Sequence, residues 1–145
     1  MKEIKLYYCE ESRTYLVDFG ESSAQCRCEG LTLLEPNTVE AAKEKHIPVC
    51  SVSDTDVLVK VGSQPHPMQP DHLIEWIFVQ TDKGGIYRKL QTGDQPKANF
   101  PVRPDGILGV YAYCNLHGLW KADSKALELH EAVCSAEFPD GCIDS

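Results

Sequence analysis

The chain has 145 residues and a formal net charge of −8, with 42% hydrophobic and 25% charged residues. That length supports one well-buried domain with room for a small appended module, and the balance argues against wholesale disorder. Negative charge without clustered Lys and Arg argues against nucleic-acid binding, and no apolar run approaches the about 20 residues that span a bilayer.

The N-terminal stretch MKEIKLYYCEES lacks the apolar segment and small-residue cleavage site of a secretory signal, so a cytoplasmic location is expected. Seven cysteines are many for such a chain. Their odd number and the missing signal weigh against a disulfide framework, which leaves metal or redox chemistry beside ordinary buried thiols.

In chain order, Glu3–Tyr8 and Thr14–Phe19 are short and rich in Tyr, Val, Leu and Ile, with a polar turn between them, and read as a hairpin. Gly20–Gly30 is polar and reads as a loop. Asn37 followed by Glu40 has the form of a capping box opening a short helix through Ala41 and Ala42. Pro48 ends that helix and biases Ile47 towards extended geometry. From there the pattern is β: Val57–Val61 alternates in part and Leu73–Val79 is almost continuously apolar. Gly84-Gly85 reads as a turn before Ile86–Leu90, and Thr92-Gly93-Asp94 as another before Ala98–Phe100; Ile107–Tyr113 is the last clear strand. Strands punctuated in this way by Gly and Pro predict an all-β sandwich. Ser124–Val133 has the length of a short helix, although its apolar residues fit neither period cleanly.

Four of the five histidines fall in three local contexts. His46 precedes Ile47-Pro48; His66 and His72 sit in a stretch with Pro65, Pro67 and Pro70, which exclude a regular helix between them. Cys114-x2-His117 puts a thiol and an imidazole on one tight turn, and Gly118 frees the backbone just after it. Each signal alone has an ordinary explanation, because a lone histidine is usually a surface residue or a satisfied core residue. Taken together, four imidazoles and one thiolate are more donors than tetrahedral zinc takes. They are too nitrogen-rich for calcium or magnesium, and they exceed the two histidines and one cysteine of a blue-copper site. Iron with one position left open suits the set. A structural zinc site using Cys114 and three histidines, and a closed electron-transfer site, remain alternatives at this level.

The segments Glu44-Lys45-His46-Ile47-Pro48-Val49, Val61-Gly62-Ser63-x-Pro65-His66-Pro67-Met68, His72-x2-Glu75-Trp76-Ile77 and Tyr113-Cys114-Asn115-Leu116-His117-Gly118-Leu119-Trp120-Lys121 together resemble the superoxide reductases, the desulfoferrodoxin and neelaredoxin family. The resemblance implies an immunoglobulin-like β-sandwich over residues 38–121 that holds one mononuclear iron, cycling between Fe(2+) and Fe(3+). His46, His66, His72 and His117 would be equatorial, His117 through Nδ1 and the others through Nε2, with Cys114 axial opposite an open position. The implied activity is one-electron reduction of superoxide to hydrogen peroxide, with electrons from a rubredoxin-like protein, in a homodimer. Lys45 would attract the anion and organise the protonating water, and Glu44 would close onto the open position of the ferric state. The amides of Leu116 and His117 would donate to the Cys114 sulfur.

Residues 1–37 resemble a small desulforedoxin-like β module that normally holds iron in four thiolates. Here Ser12 stands where a second cysteine after Cys9 is expected, and Arg27 separates Cys26 from Cys28. The expectation is a module kept in fold but without its own iron. A fourth sulfur recruited from Cys50, Cys134 or Cys142 stays open as an alternative, although Cys50 follows His46-Ile47-Pro48-Val49 and is placed in the main domain. Residues 122–145, with His130, Cys134 and Cys142, form an extension with no assigned role. Met68 and Trp76 are read as packing residues rather than redox participants.

Overall fold

A computed structural model describes residues 4–20 and 29–122. The expected helix at Ser124–Val133, the thiols of Cys26, Cys28, Cys134 and Cys142, His130 and most of the Gly20–Gly30 loop lie outside the described residues.

The described chain is all-β, arranged as three antiparallel sheets. Strands β1 (Lys5–Cys9), β2 (Thr14–Asp18) and β3 (Leu31–Leu34) form one sheet in the order β2-β1-β3. A single helical turn, α1 (Lys43–His46), leads into β4 (Pro48–Val52), which pairs in the order β4-β5-β8 with β5 (Val57–Val61) and β8 (Lys97–Phe100). The third sheet runs β10-β9-β6-β7, with β6 at Ile74–Thr81, β7 at Gly84–Lys89, β9 at Ile107–Cys114 and β10 at Gly118–Lys121. No helix among the described residues is long and apolar enough to cross a membrane.

The sandwich core lies between the second and third sheets. Val57, Val59 and Val61 of β5 face Ile77 and Val79 of β6 and Val110 and Ala112 of β9, all buried. Removing each such side chain from water contributes about 1.5–3 kcal/mol. The apolar run of β6, interrupted by Glu75, has a physical cause: this central strand is covered on both faces. Trp76 and Phe78 point away from the sandwich core into a second cluster with Leu6, Tyr111 and Leu119, backed by Tyr15, Val17 and Leu34 of the N-terminal sheet. A register shift between Ile74 and Trp76 lets Ile74 and Ile77 share one face although they stand three positions apart.

Two local readings differ from the sequence expectation. Asn37 does not cap a helix: α1 begins only at Lys43, follows Ala42 and has no side-chain cap. Asn37 instead adopts a left-handed conformation (φ 59°). Its side chain extends the ladder beyond β10, accepting the Lys121 N–H at 2.9 Å and donating to the Lys121 carbonyl at 3.3 Å. The β6–β7 hairpin turns at Asp82-Lys83, one step before the glycine pair, because Thr81 pairs with Gly84. Gly85 belongs to the strand, where the Phe78 ring lies so close that a Cβ would meet it at 2.3 Å. Pro48 does end the helix, and Ile47 is extended (φ −72°, ψ 122°).

Candidate metal centre

The strand pairings bring the histidine-bearing segments to one end of the sandwich. Pro48 pairs with Val61, so the turn ending in His46 and the loop leading to His66 leave the same end of one sheet. Ile74 pairs with Cys114, which places His72 and the Cys114–His117 turn at the matching end of the other. Gly118 pairs back to Cys114 across a three-residue connection, and its φ of +81° closes that hairpin in the left-handed region glycine favours.

The four imidazoles form a closed square. Ring centroids are 4.7 Å apart for His46–His66, 4.7 Å for His66–His72, 5.2 Å for His72–His117 and 4.8 Å for His46–His117, every pair edge to face. The Cys114 sulfur lies 3.7 Å from His117 Nδ1. Atoms of His46, His72, Cys114 and His117 all fall within 4.8 Å of one another, and His66 Nε2 joins them at 3.2 Å from His46 Nε2.

Backbone acceptors fix which nitrogens face inwards. His46 Nδ1 lies 2.7 Å from the Ala42 carbonyl and His66 Nδ1 2.7 Å from the Pro67 carbonyl. A carbonyl only accepts, so both Nδ1 atoms carry the proton and both Nε2 atoms present lone pairs. Those lone pairs face each other at 3.2 Å, and His46 Nε2 is 3.1 Å from His117 Nδ1. The Nε2 of His72 is buried without a hydrogen-bond partner. Lone pairs converging in this way repel unless a cation lies among them. A metal–imidazole bond of about 2.1 Å places nitrogens at right angles about 3.0 Å apart, close to the observed spacings.

The electrostatics suit ligation. Burial pushes His66 down to about 4 and lowers His46, which keeps both imidazoles neutral and able to bind a metal. Burial raises the Cys114 thiol, against which the backbone amides of Leu116 and His117 hydrogen-bond to its sulfur and lower it. Four imidazole nitrogens and a sulfur fit a transition metal of the iron type better than an oxygen-seeking cation.

Glu44 and Lys45 are both exposed on α1, next to the buried His46. The Glu44 carboxylate acts electrostatically on His46, while its carbonyl accepts from Gln64 N at 2.8 Å and Ser63 Oγ at 3.2 Å, tying α1 to the His66 loop. Met68 is buried in the sandwich core, and Trp76 lies in the outer cluster.

Three contributors were not singled out from the sequence. Trp120 stacks on His46 (4.9 Å, 27°) and donates from Nε1 to the His117 carbonyl at 3.2 Å. Asn115 accepts from Leu73 N at 3.0 Å and donates to the Asp71 carbonyl at 3.1 Å, so it straps the His72 segment to the cysteine turn. Gly62 passes so close to α1 that a Cβ would meet the Glu44 carbonyl at 2.6 Å. Trp120 and Asn115 were visible only as letters of the last motif.

The desulfoferrodoxin family model matches residues 38–123. A desulfoferrodoxin from Syntrophotalea carbinolica is 39% identical over 124 residues, covering 84% of this chain and 98% of the relative. A desulfoferrodoxin homolog from Archaeoglobus fulgidus is 44% identical over 108 residues, covering 74% and 85%. Among solved structures, the superoxide reductase from Treponema pallidum superposes with a TM-score of 0.67 at 38% identity, over 84% of this chain and all of that one. With a matching β-fold, a His/Cys cluster able to hold a metal and relatives aligned over most of their length, this chain belongs to the desulfoferrodoxin family.

Proposed function

We propose that this chain reduces superoxide to hydrogen peroxide at one mononuclear iron held by His46, His66, His72, His117 and Cys114. The observation that carries this reading is the closed square of four imidazoles, with the unprotonated Nε2 atoms of His46 and His66 turned inwards and a cysteine sulfur beside it. Bound iron would supply the single electron that superoxide takes up.

The chain's own residues do the rest. The Ala42 and Pro67 carbonyls hold His46 and His66 in one tautomer, and Trp120 and Asn115 hold the rings and loops in place. Cys114 supplies thiolate charge, tempered by two amide N–H groups. Lys45 provides local positive charge for an anionic substrate on a chain of net charge −8, and positions the water that delivers the proton. Glu44 is the carboxylate beside the same face, and its electrostatic effect on His46 supports that placement.

One electron leaves the centre per turnover, so the reading includes a small rubredoxin-like donor; a homodimer and a cytoplasmic location go with it. Residues 38–121 carry the catalytic sandwich, 122–145 form an extension, and 1–37 form a module without its own iron. Ser12 supports that last assignment: it replaces a thiolate, and its hydroxyl is 2.6 Å from Thr14 Oγ1.

The test is to count metals in the purified chain, record its visible spectrum on oxidation, and follow superoxide loss and peroxide gain with a rubredoxin-type donor. The reading expects one iron per chain and a thiolate-to-iron band abolished by Cys114→Ser. Two irons per chain would refute the reading of residues 1–37. A colourless zinc protein that resists iron reconstitution would refute the centre.

A further inference from the structure

The outer cluster contains an unusual set of rings. Tyr113 immediately precedes Cys114, so one peptide unit joins it to the sulfur of the proposed centre. Its ring stacks on Trp76 (5.5 Å, 12°) and meets Tyr15 edge-on at 4.9 Å. Tyr15 contacts Trp76 at 5.4 Å and Tyr8 at 5.2 Å, and Trp76 reaches Tyr87 at 6.1 Å. Tyr87 is 53% exposed and Tyr8 half-buried, so the chain of rings opens to the surface at two ends. Within it, Tyr15 donates its hydroxyl hydrogen to the Glu75 carboxylate at 3.2 Å, across 60 residues of sequence.

Packing alone does not call for this composition. Leu or Phe would join the N-terminal sheet to the sandwich without the cost of drawing phenols and a carboxylate partly out of water. Phenols and indoles share one chemical property that Leu and Phe lack: they give up an electron readily. A phenol does so most easily when a base accepts its proton in the same event, and Glu75 is that base for Tyr15.

We propose that Tyr113, Trp76, Tyr15 and Tyr8, with Glu75 as proton acceptor and Tyr87 as a second exit, form a relay that carries oxidising equivalents from the iron centre to the surface when the centre meets hydrogen peroxide. The proposal rests on the function proposed above, since peroxide is that reaction's product. The balance closes without another oxidant. The O–O bond of hydrogen peroxide breaks, taking up two electrons and two protons to give two waters. Two tyrosines each lose one electron and one phenolic proton and become neutral radicals, and the iron ends in the oxidation state in which it began. A thiol or other one-electron reductant in solution restores the phenols. The relay spares the histidine and cysteine ligands from oxidation.

The test uses the full chain loaded with iron, its metal content and visible band recorded first. It is mixed with a small excess of hydrogen peroxide, frozen for electron paramagnetic resonance, and mapped for oxidised residues by mass spectrometry. The expected result is a tyrosyl signal and oxidation at Tyr8, Tyr15 and Tyr87, with the five ligands intact and no such signal in the iron-free chain. The double variant Tyr15→Phe/Tyr87→Phe, with iron content and visible band unchanged, should lose oxidation at Tyr8 and gain it severalfold at Cys114 and the histidines. Glu75→Gln keeps an oxygen for the hydrogen bond but is a poorer base, and should slow the build-up of the signal. An oxidation map identical in the double variant and the unchanged chain overturns the relay. A fully assembled iron centre whose ligands oxidise while the tyrosines stay intact overturns the relay alone. A chain that neither binds iron nor develops the band overturns the centre and the relay with it.

Discussion

Asn115 grips Leu73 twice: its side-chain oxygen accepts the Leu73 N–H at 3.0 Å, and its own backbone N–H donates to the Leu73 carbonyl at 3.2 Å. With the further bond from its amide nitrogen to the Asp71 carbonyl at 3.1 Å, the residue brackets His72 on both sides. Asn115→Ala removes both side-chain bonds and strands the Leu73 N–H, a loss of about 1–3 kcal/mol. Metal affinity should fall roughly 10–100-fold, the usual cost of losing a partner that orients a ligand. Asn115→Asp keeps the acceptor for Leu73 and should lose less. Competition with a chelator measures both, and equal affinity in all three proteins would remove Asn115 from the positioning of His72.

Gly62 makes a second prediction. A Cβ there would lie 2.6 Å from the Glu44 carbonyl oxygen and 3.0 Å from the Lys45 carbonyl carbon. Both are backbone atoms, which cannot swing aside as a side chain can. Gly62→Ala should therefore push α1 outwards, weaken the bonds from Gln64 and Ser63 to Glu44, and carry His46 with it. Overpacking of this kind costs about 1–3 kcal/mol. The change should lower thermal stability and shift the visible band of the iron-loaded protein; unchanged values for both would mean that α1 is not held by this contact.

Metal removal should be felt throughout the fold. Without a cation, the lone pairs on His46 Nε2 and His66 Nε2 face each other at 3.2 Å with no proton between them. A metal that binds only the folded chain stabilises it by about 4 kcal/mol at a thousand times its dissociation constant. For a chain of this size that corresponds to a rise in Tm of roughly 10–20 °C. Scanning calorimetry of iron-loaded and chelator-treated protein measures the difference, and identical midpoints would contradict a site assembled around an ion.

The sequence made the strands legible where burial imposed a period, as in Val57–Val61, and made the chemistry legible where donors sat in tight local patterns, as in Cys114-x2-His117. It was less informative where the cause lay far along the chain. Leu73–Val79 reads as a core strand, but the covering of its outer face by Tyr15 and Val17 cannot be read from the strand itself. Strand β10, with four residues, is too short to show a period, and the alternating burial of β4 is hidden in the sequence by Pro48, Cys50 and Ser51; the two strands pair with β9 and β5. Asn37 misled because an asparagine three residues before a glutamate satisfies the capping pattern equally well when its side chain is bonded to Lys121, 84 residues away. Asn115 looked like spacer within a motif for the same reason, its partner Leu73 lying 42 residues earlier.

Cys50 offers a prediction about pH. It is fully buried on β4 in the sandwich core, and burial pushes its thiol up to about 12. In the unfolded chain a cysteine ionises near 8.5. The folded protein thus keeps a proton that the unfolded protein has released, so stability is full below about pH 8.5 and falls as pH rises towards 12. The contribution is about 1.4 kcal/mol per pH unit. Other groups titrate in the same window, so the comparison to make is with Cys50→Val, whose unfolding free energy should decline less steeply between about pH 8.5 and 10.5 by roughly that amount. Denaturant unfolding at several pH values measures both slopes. Parallel slopes would show that the Cys50 thiol ionises alike in the folded and unfolded chain, which would contradict its burial against Val52 and Val59.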